Sequence, residues 1–162
     1  MSKVRDVDHG ARALKARLRK ELPRANVGVF GANASGKHEG TSRTVGEIAA
    51  AHEFGLGNVP QRSWLRGTMA TRRAQIAVAL REICIAAIKG KGDASNMMAQ
   101  LAQAAAGWCK ERIASGIAPE LSPRYLPRKL AKYPGATTPL IASGQLRGSI
   151  AGELVSGGGK KR

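Results

Sequence analysis

The sequence predicts an α+β fold: a small antiparallel or mixed sheet with two long helices and a short N-terminal amphipathic helix. Three observations predict it. Two long segments, near 69–89 and 94–114, repeat apolar residues at helical spacing. Two short apolar runs with strand character, 26–31 and 149–155, lie at opposite ends of the chain and must pair across it. The length of 162 residues suits one core, so 1–155 reads as one α+β domain. Within it a flexible glycine-rich loop is expected near 31–43, and 156–162 forms a basic tail expected to order only on a partner.

Each element has its own signal. From Asp8 to Leu22, Ala11, Leu14, Leu18 and Leu22 share a helical face among Arg12, Lys15, Arg17, Arg19 and Lys20, and Pro23 stops the helix. "NVGVFG", Asn26 to Gly31, reads as the first strand. Thr44 and Glu47 have the spacing of a capping box for a helix Val45 to Phe54, with Gly55 as its left-handed cap. "GLGNVPQRS" is an irregular turn. The helix Met69 to Lys89 is expected to bury Ile76, Leu80, Ile83, Cys84, Ala87 and Ile88 on one side. "GKGD" breaks it, and Asp93 caps a helix to about Ala114 with Met97, Leu101, Ala105, Trp108 and Cys109 on one face. Prolines then punctuate 119–139, leaving a short helix near Arg128 to Ala131. "GQLRGSIAGELV" is a turn of helix running into the last strand, Ser149 to Val155.

Gly31, Gly36 and Lys37 stand at the G-x-x-x-x-G-K spacing of a phosphate-binding loop. The residue after Lys37 is His38, which has no hydroxyl for Mg²⁺, and "EGTS" then follows instead of a helix start. The bland reading, a glycine-rich loop, is preferred. Ser149 lacks the context of a nucleophile elbow. Cys84 and Cys109 have no CxxC spacing and read as reduced core thiols. His9, His38 and His52 are scattered. Neither a metal, a cofactor nor an enzymatic role is expected.

The formal charge of +16 points to an anionic partner: nucleic acid, an acidic protein surface or a membrane surface. The membrane option is set aside, because no apolar run approaches the roughly twenty residues that span a bilayer. The charged N-terminal stretch also lacks the apolar middle of a secretion signal.

Two blocks carry a resemblance. "TVGEIAAAHEFGLGNVPQRSWLRGTM" has an "EFG" helix end followed by a short loop and a "PxRxWLR" run: Glu53, Phe54, Gly55, Pro60, Arg62, Trp64, Leu65 and Arg66. "TTPLIASGQLRGSIAGEL" carries a "PLI…G.LR.SI" ending on Leu140, Ile141, Gly144, Gln145, Leu146, Arg147, Ser149 and Ile150. In this order, with a helical region between, they resemble bacteriophage neck and tail-completion proteins of the minor tail protein Z-like group. Mu-like virion morphogenesis proteins are related. Ser63 stands where that family often has a second proline, and Ala142 where it often has an acid.

The resemblance implies a structural virion protein of the head–tail junction, assembled in the bacterial host cytoplasm. It implies a homo-oligomeric ring, sixfold to match a tail, joining a tail terminator or tail tube protein to a head connector or stopper around the DNA path. Expected subunit or partner contacts are Glu53, Phe54, Pro60, Arg62, Trp64, Arg66, Leu140, Gln145 and Arg147. By size alone, Phe54 and Trp64 should pin the 55–63 loop to the core. Arg62 and Arg66 beside Glu53 suit either a fixed ion pair or a subunit contact. The alternative is a sequence-independent nucleic-acid-binding protein, with Arg12, Lys15, Arg19 and Lys37 as expected phosphate contacts.

Overall fold

The computed structural model describes residues 10–13, 15, 22–90 and 93–155. Residues 11–13 and 15 are helical, and Gly10 and Leu22 are not; the other positions of the expected N-terminal helix, Arg19 included, and the basic tail lie outside the described residues. The fold is α+β, as expected. Strand β1 (Arg24–Gly28) pairs antiparallel with β2 (Ala151–Val155), Arg24 opposite Val155 and Gly28 opposite Ala151. The first strand thus starts two residues earlier than the sequence suggests and ends before Phe30.

Between the strands come α1 (Ala32–Ser35), α2 (Val45–Phe54), α3 (Arg66–Thr71), α4 (Arg73–Lys89), α5 (Ala94–Ala114), α6 (Leu126–Lys132) and α7 (Gln145–Gly148). Helix α5 packs across both strands and forms the centre of the molecule. Its Ala102, Ala105 and Ala106 are buried, and small side chains let the sheet approach closely. The approach is tightest at Gly152, where a Cβ would collide with the Ala102 carbonyl. The core gathers Ala106, Cys109 and Ile113 of α5 with Val45, Ala49, Trp64 and Ile150.

Helix ends follow the expected local chemistry. Thr44 Oγ1 accepts from the Glu47 amide at 3.2 Å, and the Glu47 carboxylate accepts from the Thr44 amide at 2.7 Å. Gly55 closes α2 in the left-handed region (φ 70°), and a Cβ there would lie 2.9 Å from the Gln61 Cβ. Asp93 Oδ1 accepts from the amides of Ser95 and Asn96, each at 3.0 Å.

The structure corrects three expectations. The helix expected over 69–89 begins at Arg66 and breaks at Arg72, whose backbone leaves the helical region (ψ 9°). Thr68 and Thr71 donate their hydroxyls to carbonyls four residues back, a pattern that bends helices. Second, α4 is no core helix. Ile83 is its one fully buried residue, while Leu80 and Ile88 are about two-fifths exposed. Third, the 31–43 loop contains α1 and a bridge between Lys37 and Thr44, because residues 32–35 close a helical turn on Gly31. No helix among the described residues is long and apolar enough to cross a membrane.

Candidate functional site

The end of α2 is built around one carboxylate. Glu53 is buried, and its oxygens accept from Ser63 Oγ (2.7 Å), the Leu65 amide (2.8 Å), the Arg66 amide (3.0 Å) and Arg66 Nε (2.9 Å). Burial by itself would raise its pKa. The donors from Leu65, Ser63 and Arg66 outweigh that and hold it below the usual glutamate range. Its backbone carbonyl accepts from Gln61 Nε2 and Arg66 Nη2 as well, at 3.2 and 3.0 Å. Glu53 therefore fixes both ends of the 55–66 loop. Arg66 makes the expected ion pair with Glu53 at 2.9 Å.

Arg62 points inward. Its Nε donates to the Pro119 carbonyl (2.8 Å) and its Nη2 to that of Glu120 (3.0 Å). Burial lowers its pKa from the ordinary guanidinium value, and the charge is solvated by backbone carbonyls. Trp64 is buried in the core, with its indole N–H on the Ala49 carbonyl at 3.1 Å. Glu53, Arg62 and Trp64, expected at a subunit contact, are thus interior to this chain, because each has its polar partners there. Phe54 reverses the other expectation. It is 54% exposed, not packed into the core, and carries the Arg66 guanidinium 4.6 Å from its ring centre. Leu56 beside it is 53% exposed, and Pro60 is also exposed. The loop therefore presents an apolar surface on a rigid base.

The second block serves as a brace. Gln145 accepts from the Glu39 amide (2.9 Å) and donates to the Lys37 carbonyl (3.0 Å), tying α7 to the glycine-rich segment. Leu140 takes a left-handed backbone (φ 64°) and packs half-buried on the core. Arg147 is exposed. The Ser149 hydroxyl donates to the Gln145 carbonyl at 2.8 Å. The amides of Ala34, Ser35 and Gly36 donate to the Gly31 and Ala32 carbonyls, so they do not point at a ligand as a phosphate cradle requires. Arg12 and Lys15 are exposed on one helical stretch and Lys37 on another segment.

One further feature was missed by sequence reasoning. A cavity of about 510 Å³ opens between α2, α6, the 38–43 segment and the 140–146 turn. Arg43, Arg128, Lys129 and Lys132 line it, with Tyr125 and Tyr133. Lys129 is buried, its Nζ on the Thr138 carbonyl at 2.6 Å; burial and then nearby Arg62 lower its pKa. His52 also lines the cavity. Burial first, then Arg62, His38 and Lys129, lower its pKa to about 4, and its Nδ1 is buried with no hydrogen-bond partner. The signal was there: Leu126, Lys129, Leu130 and Tyr133 share one helical face, which turns the lysine inward. Among the described residues no group of His, Cys, Asp and Glu is placed to hold a metal.

Compared with protein-family models, curated proteins and solved structures, the chain matches none.

Proposed function

We propose that the chain is a structural protein of the phage head–tail junction, working through its surfaces as one subunit of a ring, sixfold to match the tail. In this reading the ring joins a tail terminator or tail tube protein to a head connector or stopper, and DNA passes through it. One observation carries the reading: the exposed apolar tip at Phe54, Leu56 and Pro60 stands on a loop locked by the buried Glu53. Exposed apolar groups on a preorganised base suit a contact made without loss of loop entropy. The two blocks that carry the family resemblance also meet in one core, where Trp64 and Leu146 belong to the same cluster.

The test is electron microscopy of particles made when the encoding phage carries a stop codon at Trp64. DNA-filled heads and full-length tails that stay apart are the expected result. Normal infectious particles would refute the proposal. A second reading, sequence-independent binding to nucleic acid, is favoured by the charge of +16 and is compatible with a ring around DNA.

A further inference from the structure

We propose that the cavity between α2, α6 and the 140–146 turn is a docking site for an acidic peptide segment of a partner protein. That segment would insert an aliphatic side chain between its carboxylates. The inference goes beyond the head–tail reading and does not depend on it.

Two features select this ligand. Charge comes first. Among the lining residues Glu39 is the sole acid, against Arg43, Arg128, Lys129 and Lys132. Arg128 and Lys132 make no ion pair among the described residues, so their charge is available to an incoming carboxylate, while Arg43 is shared with Glu47. The floor comes second. Ile48, Leu121, Leu140, Ile141 and Leu146 make an aliphatic surface below the cationic rim, suited to a Leu- or Ile-sized side chain.

The walls are fixed in advance. Gln145 pins the 37–39 backbone on one side, and Lys129 ties α6 to Thr138 on the other. The Lys132 ammonium sits where a side chain at Gly40 would be, so it reaches across the mouth.

A single-stranded nucleic acid is the competing ligand, and the geometry suits it less. Such sites track the backbone along an open groove with successive aromatic platforms. Here Lys132 already sits 5.2 Å from the Tyr133 ring centre, leaving Tyr125 as the open ring.

The experiment is fluorescence anisotropy on the purified full chain with a labelled peptide, Asp-Glu-Leu-Glu-Asp. Competitors are the same peptide with Ser for Leu, and an oligothymidylate of equal charge. The peptide is expected to bind. Arg128→Glu with Lys132→Glu should weaken it at least about tenfold, as expected when carboxylate-pairing cations are reversed. Arg73→Glu with Arg81→Glu makes the same charge change on α4 and should leave binding within about twofold. The Ser peptide should bind more weakly than the Leu peptide, a comparison that needs no protein variant. Thermal melting checks that both double variants stay folded. Equal losses in the two variants would reduce the site to diffuse surface charge and overturn the proposal. So would Leu and Ser peptides that bind alike, an oligothymidylate that displaces the peptide at lower concentration, or no binding at all.

Discussion

His52 and Glu53 are neighbours in sequence, and their surroundings leave each short of protons for different reasons. His52 is held neutral in the folded chain, with its pKa lowered from 6.5 to about 4. As pH falls from 6.5 towards 4, the unfolded chain takes up a proton that the folded chain refuses, so stability falls. Glu53 has a lowered pKa because its carboxylate is multiply hydrogen-bonded. Its contribution is complete above its unfolded value of 4.5 and is lost as pH drops through the folded value. The two windows are therefore nearly separate. Between pH 7 and about 4.5 the chain should lose about 2 kcal/mol through His52, after allowance for its partial exposure. Urea unfolding at both pH values should show that loss in the native chain and most of it abolished in His52→Gln. A loss of the same size in the variant would place the acid sensitivity elsewhere. The Glu53–Arg66 pairing was legible in the sequence as one of two alternatives. The inward Arg62 and outward Phe54 were not, since residue size and charge do not say which side of a loop faces the core.

Local signals predicted elements well wherever an end is set by its own residues. Thr44 with Glu47, Gly55 and Asp93 each cap the helix end their chemistry suggested. They fail where a neighbouring element decides. The break at Arg72 follows from threonines that bond back to their own helix, and its guanidinium lies 5.3 Å from the Trp108 ring on α5. The exposed side of α4 was equally hidden, because periodicity marks an apolar face without saying what covers it. At Gly152 the constraint comes from α5, not from the strand. Gly152→Ala should cost about 1–3 kcal/mol, as overpacking against backbone usually does. A thermal melt will read it; an unchanged melting temperature would mean that β2 can lift off α5 at no cost. The control is Gly148→Ala, where a Cβ meets nothing within 4 Å.

At the scale of the whole molecule, charge and connectivity matter most. With a net charge of +16, affinity for duplex DNA of arbitrary sequence should fall at least about tenfold between roughly 50 and 200 mM salt. Filter binding across that range measures it, and a flat profile would remove nucleic acid from the second reading. Pairing of the two end strands was legible from their positions. The cavity was not, since it is assembled from α2, α6 and two separate loops. The same pairing governs how the chain matures. The ribosome makes β1 first, yet its partner β2 follows only after nearly all the helical middle has been made. During that interval the face of α5 destined for the sheet has no strand pair to cover it. A nascent chain halted before residue 151 is therefore exposed to proteases and chaperones along its central helix, and no product that ends before β2 can carry the finished fold.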